Sequence, residues 1–365
     1  MGMDYRELKK RVVGFVEAQR VKGGPRGAYR NGPKGEVQII ASTDAAMTLA
    51  HFGELKKLSE GEKDEWAAYL NSFQTEEGYY WPTGKGFRDL VSARHRWDYV
   101  MGWFTRHAMW ALNLLERPPA RELRFADRFV EEDFLKYWVA DRKWDNVWLT
   151  GNELLEAYSW LQTRAAWFKD DKAKRAMRTL AELMGSYMDG ATGYWGTKHG
   201  SSVFNGMGGY IHITPIIWDQ GLEAGHAEEA IDSTMSLQQA DGFFGDYHGS
   251  MCYDFDGVYA LANLTLLTEH RRAEVQDSLR RAVGAFLTMQ NADGGFKDYG
   301  AGSFGYMECI TTPAGASAST GTWMYSAAIG LAAAVMDESP FKGEWEFSPT
   351  IGHLVCVPGW PTRRR

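Results

Sequence analysis

Cysteine is scarce in this chain: three in 365 residues, Cys252, Cys309 and Cys356, with no CxxC spacing. That excludes a disulfide framework and argues against a thiolate metal site. No DDxxD run occurs and the nine histidines are scattered, so no metal motif is visible. Long apolar runs are missing too; none approaches the ~18–20 residues that a membrane span needs. The opening segment MGMDYRELKKRVVGFVEAQR is charged and amphipathic, without the apolar stretch of a signal peptide. Basic clusters are confined to Arg363, Arg364 and Arg365, and the net charge is −7, which disfavours a nucleic-acid surface. The Pro/Gly-rich stretches at 23–35, 313–321 and 358–361 do not mark a domain boundary. These absences lead to the expectation of a soluble cytoplasmic protein, of a size that can bury a large core.

Aromatic residues, by contrast, are abundant: 15 Trp, 17 Tyr and 18 Phe. Such rings fill cores, but they also line cavities where sugars stack or carbocations are faced. The chain repeats itself as well. LTMQNADGGFKDYG (287–300) echoes SLQQADGFFGDY (236–247), with Gln238, Asp241, Gly242, Asp246 and Tyr247 matching Gln290, Asp293, Gly294, Asp298 and Tyr299. The same turn recurs at Gln74–Gly78–Tyr79 and, more loosely, after Gln19. The long gap between Gln74 and Gln238 holds two degenerate copies, around Trp138–Trp148 and Gly185–Gly196.

Each of the six units has one grammar: a charged amphipathic helix, an Asp/Gly/aromatic turn, then a more apolar helix. RRAEVQDSLRRAVGAFLTMQ is a first helix and WMYSAAIGLAAAVM a second one. A helix apolar nearly all round is buried on all sides. Six such hairpins, polar outside and apolar inside, predict an all-α fold, an (α/α)6 toroid over residues 1–337. Residues 338–365 read as a C-terminal extension packing on the ring.

The Gln-x-x-Asp-Gly-Gly-Phe turn between paired helices resembles the QW-type repeats of the terpenoid cyclase and protein prenyltransferase superfamily. In the squalene–hopene type of class II cyclase such a turn is followed by an Asp-x-Asp-Asp motif opening an inner helix. Asp254-Phe255-Asp256 matches its first three positions, with Gly257 in the fourth. The resemblance implies a single-toroid class II terpenoid cyclase in which Asp256 protonates an isoprenoid or meroterpenoid chain. It implies no cofactor, with Mg²⁺ called for only by a diphosphate substrate. The prenyltransferase branch implies a zinc site that Glu308-Cys309 does not reproduce.

In a toroid the turns deliver the inner-helix N-termini to one end of a central cavity, so polar residues there converge. Asp254 and Asp256 are close enough in sequence for one carboxyl to raise the other's pKa. RHRWDYVMGWF places His95 and Asp98 at i, i+3, an acid–base dyad or a structural ion pair, beside Trp97 and Trp103. NGMGGYIHITPIIW places His212 after an apparent Gly-rich turn. Many of these positions, Asp44 and Asp254 among them, also suit helix caps. The sequence therefore supports two chemistries. In the first, Asp256, Asp254, Asp98 and His95 supply proton chemistry, while Trp97, Trp103, Trp195, Tyr210, His212, Tyr259 and Trp323 line an isoprenoid cavity. In the second, the cavity is a wet cleft for uronic-acid oligosaccharides. There aromatics stack sugars, Arg94 and Arg96 bind carboxylates, and Asp98 and Asp256 work as acid and base. A non-enzymatic binding module is the third reading.

Overall fold

The computed structural model describes residues 3–82, 97–300, 302–306, 310–347, 349–351 and 353–354. Twelve α-helices among the described residues alternate between an outer and an inner layer. The outer helices are α1 (Tyr5–Ala18), α3 (Glu60–Asn71), α5 (Glu132–Ala140), α7 (Asp171–Met184), α9 (Ala227–Ser236) and α11 (Arg272–Leu287). The inner ones are α2 (Ile39–His51), α4 (Trp97–Leu114), α6 (Val147–Trp167), α8 (Val203–Asp219), α10 (Met251–Leu264) and α12 (Ser319–Val335). Each inner helix packs on the next, and α12 packs back on α2. The fold is an (α/α)6 toroid, as the repeat predicts.

Composition decides the layer. Helix α7 buries Ala173, Ala176, Met177, Leu180, Ala181 and Met184, one stripe at helical spacing, and turns its Lys and Arg residues outward. Helix α2 has twelve of its thirteen residues buried, and α12 is buried along nearly its whole length. Side-chain caps start three of the outer helices. Asp4 accepts from the Glu7 amide at 3.0 Å, Ser59 and Glu62 form a capping box, and Asp170 accepts from the amides of Lys172 and Ala173.

The repeated turn is a hydrogen-bonded staple. The side-chain amides of Gln74, Gln238 and Gln290 donate to the carbonyls of Gly78, Gly242 and Gly294 at 2.9–3.0 Å. Those glycines sit at φ +93° to +95°, which L side chains rarely adopt. They also lie against the next unit: side chains there would run into the backbone of Glu122, Arg281 and Arg11 respectively. Because Arg11 belongs to α1, the sixth turn locks the last unit onto the first and closes the ring.

Beyond α12, Trp345 packs on Tyr5 and Phe52, and Phe347 on His51, so residues 341–347 cross the end of the ring where α2 finishes. No described helix is long and apolar enough to cross a membrane.

Candidate active site

At the N-terminal end of the inner helices, a cavity of about 270 Å³ opens between α4, α6 and the hairpin that precedes α6. Asp98 enters it from the first turn of α4. Glu153, Glu156 and Trp160 come from α6 at i, i+3 and i+7, hence from one helical face. Trp138 comes from the end of α5 and Arg142 from just beyond it, and Phe125 and Phe129 from the 3-10 turn Arg124–Val130.

The aromatic wall is braced edge-on. Trp160 lies 5.0 Å from Phe125 and 5.2 Å from Phe129, and Phe129 lies 5.1 Å from Trp138. Arg142 stands over Trp138 at 4.6 Å, donates from Nε to the Trp138 carbonyl at 2.9 Å, and pairs through Nη1 with Glu153 at 3.1 Å. Glu156 is deeper, 1% exposed, and its approach to α4 depends on Gly102, where any side chain would strike the carboxyl group. Burial pushes the Glu156 carboxyl well above the usual range; nearby Arg106 opposes this, while Glu153 and Asp98 add to it. Burial wins because Arg106 is itself buried and donates to Asn152 Oδ1 at 3.3 Å. Two polar atoms on this wall, Glu156 Oε1 and Trp160 Nε1, are buried with no hydrogen-bond partner among the described residues. One helical turn separates them.

His107 and His212 flank Arg106 deeper in the ring. Each has Nδ1 at a helix carbonyl, Trp103 O and Gly208 O respectively. Burial first, and Arg106 second, hold His107 well below its usual pKa and His212 at about 3, so both rings are neutral donors at Nδ1.

The residues expected from sequence are dispersed. Asp98 is in the cavity. His95, Arg94 and Arg96 lie outside the described residues, as does the side chain of Trp97. Trp103 lies tilted against His107, ring centroids 4.2 Å apart. Trp195 and Tyr210 are buried in the wall, where Trp195 Nε1 donates to Met184 O at 3.1 Å. Tyr259 and Trp323 are buried too; Trp323 stands edge-on to both Trp110 and Phe255 at 5.4 Å. Helix α2 starts at Ile39, so Asp44 is no cap; it lies mid-helix and accepts from Ser319 and Thr320 of α12. The glycines of NGMGGY are not a turn but lie inside α8, where Gly206, Gly208 and Gly209 admit Tyr194, Trp148 and Val147.

Asp254 serves the staple. It accepts from the Phe244 amide at 2.9 Å, the Ser250 amide at 2.8 Å and the Tyr325 hydroxyl at 2.8 Å. Thr105 and Thr322 take the equivalent amides of Tyr80 and Phe296 in two other units. Asp256 is buried beside it, and its Oδ2 has no partner among the described residues. Sequence reasoning missed Glu156, Trp160, Trp138 and Arg142. A signal was present only for the last pair, since Trp138 and Arg142 are at i, i+4.

A model of the prenyltransferase alpha-alpha toroid domain matches residues 2–93 and 124–311. No functionally curated protein matches the sequence. Among solved structures, a polysaccharide lyase superposes with a TM-score of 0.48 at 12% identity, covering 90% of this chain and 96% of its own. A glycosyl hydrolase family 88 protein from Bacteroides vulgatus gives 0.49 at 12% identity, covering 90% and 98%. Likenesses this distant lend no activity to this chain. The expectation of a proton-initiated terpenoid cyclase with an isoprenoid substrate is nonetheless overturned. The physical reason lies in the geometry. Asp254 is held by turn amides, the central aromatics pack on one another, and the open cavity sets three carboxyl groups and an arginine against its aromatic wall.

Proposed function

We propose, from the premise that the chain belongs to the prenyltransferase alpha-alpha toroid domain family, that its cavity serves carbohydrate chemistry: a hydrolase or lyase of uronic-acid oligosaccharides. The observation that carries this is the pairing of Glu156 Oε1 and Trp160 Nε1, buried, unpartnered among the described residues and one turn apart on the wall of an aromatic pocket. A buried polar atom without a partner costs ~1–3 kcal/mol, and polar groups brought into the cavity beside these two would offset that cost. A sugar supplies them: hydroxyls for Trp160 Nε1 and Glu156, C–H faces for Trp160 and Trp138.

The acids divide the work by environment. Glu156, kept protonated by burial, is the general acid toward the glycosidic oxygen. Asp98, in the first turn of α4 and nearer solvent, is the base that activates water or takes the proton next to a uronate carboxyl. Arg142, fixed by Glu153 and Trp138, and Arg106 beneath supply positive charge for the acidic group of the substrate. The carbohydrate-active names of the similar folds agree with this assignment but do not carry it.

The test is a product screen. Acidic and neutral oligosaccharides are incubated with the protein, and products are separated and weighed. Shortened products carrying added water mark a hydrolase, and unsaturated ends a lyase; either should vanish in Glu156→Gln and fall in Asp98→Asn. Glycans left intact across the panel contradict the assignment.

A further inference from the structure

The seam between α4 and α6 holds a notch that helix packing alone does not explain. Asp98, Gly102 and Arg106 follow one another at i, i+4 and i+8 on α4, so they share one face. Glu156 and Trp160, at i and i+4 on α6, meet that face at its middle. A Cβ at residue 102 would overlap Glu156 Oε2 and stand 2.8 Å from Glu156 Cδ and 3.2 Å from Trp160 Cζ2. The carboxyl therefore rests on the bare backbone of α4, about one turn beyond Asp98 and one turn short of Arg106.

Other glycines of the inner helices make room for packing. Gly208, Gly257 and Gly330 seat the rings of Trp148, Phe244 and Phe347. Gly102 instead takes an ionisable group, and Glu156 Oε1 stays buried there without a partner among the described residues. A contact made only for packing is better filled by an apolar side chain, because a polar atom left unpaired out of water costs free energy. Glycine within a helix is itself unfavourable beside alanine. Two local costs thus meet at one point. The side chains held there, Glu156 and Trp160, are the two whose orphan atoms lie on the pocket wall. Local rules are broken together in this way where a site is being built.

We infer that Gly102 is a positioning residue: by leaving α4 bare at this level, it fixes where the Glu156 carboxyl stands between Asp98 and Arg106. The inference rests on the reading of Glu156 as the proton donor of the pocket. A methyl group at residue 102 pushes the carboxyl out of the notch toward the cavity and water, where its anion is better solvated. The Trp160 ring need give by only a few tenths of an ångström. Substitution at residue 102 therefore acts on the acid far more than on the aromatic wall.

The experiment compares the full chain as wild type, Gly102→Ala, Glu156→Gln and the double variant Gly102→Ala/Glu156→Asp. Infrared spectra recorded against pH show the carbonyl stretch of a protonated buried carboxyl, assigned to Glu156 by its loss in Glu156→Gln. In Gly102→Ala that band should fade at lower pH, the proton affinity weakened at least about tenfold. On acidic oligosaccharides that the wild type turns over, kcat should fall while KM holds, and the alkaline limb should move down with the band. The melting temperature should drop in Gly102→Ala and recover in the double variant, whose carboxyl is one methylene shorter. That recovery identifies the carboxyl as the group the methyl meets. A band that Gly102→Ala leaves in place, or a loss of stability that Glu156→Asp does not restore, overturns the notch and leaves the carbohydrate reading standing. A shifted band with no oligosaccharide turned over keeps the notch and overturns the carbohydrate reading.

Discussion

At the scale of single residues, the protein's chemistry turns on where burial leaves a carboxyl protonated. Glu156 is held well above its ordinary pKa chiefly by burial, against the pull of Arg106. If it is the acid, Glu156→Gln should lower kcat by at least ~100-fold while the melting temperature holds or rises, since a buried carboxyl with an unpartnered oxygen is replaced by a neutral amide. The alkaline limb of the pH–rate profile reports loss of the Glu156 proton, so residual activity in Glu156→Gln should lack that limb. A variant that keeps the limb assigns it to another group. Asp98 was legible in the sequence because it opens a helix beside aromatics. Glu156 was not, because a carboxylate inside GNELLEAYSW reads as an ordinary helix former until the inner layer is known to be buried on every side.

Elements obey the repeat more closely than the residues obey the resemblance. Three turns were visible as Gln, Gly and aromatic positions, one more loosely after Gln19 and two only as degenerate copies, and the helices either side follow from their patterns of charge. In the Asp-x-Asp match the two carboxyls differ: Asp254, like Thr105 or Thr322, is an acceptor for the amide of the turn's aromatic residue, whereas Asp256 keeps a buried Oδ2 with no partner among the described residues. The glycine run in α8 misled because glycine serves turns and close helix contacts alike. The staple has a measurable signature. Gly294→Ala places a side chain at φ +93° and against Arg11, and should cost at least ~1–2 kcal/mol in urea unfolding. Gly284→Ala, in the interior of α11 with open space around it, should instead stabilise by ~0.5–1 kcal/mol. Equal effects at the two positions would mean that the turn does not lock the ring.

For the whole molecule, the inner layer concentrates acids out of water. Burial lifts Asp44 and Asp254 to about 7 and Asp298 to about 6, against their hydrogen bonds. Each binds its proton more tightly folded than unfolded, so its contribution is complete below the ordinary carboxylate pKa and is lost as pH rises through the folded value. His51 and His212, depressed to about 3, act in the opposite sense but only below their ordinary value of ~6.5. Between pH 6.5 and 8 the acids therefore dominate, and the melting temperature should fall across that window. Asp44→Asn should flatten the decline; a melting temperature that climbs there would show these carboxyls to be ionised in the fold.

The central claim is that a sugar sits between α4 and α6 with Glu156 at its linkage. The most direct measurement is a crystal structure of the Glu156→Gln variant soaked with an acidic tetrasaccharide. A pyranose on the Trp160 face, with its glycosidic oxygen in hydrogen-bond reach of residue 156 and Asp98 on the opposite side, is the predicted result. A tetrasaccharide bound elsewhere on the ring, with the pocket between Asp98 and Trp160 unoccupied, would contradict it.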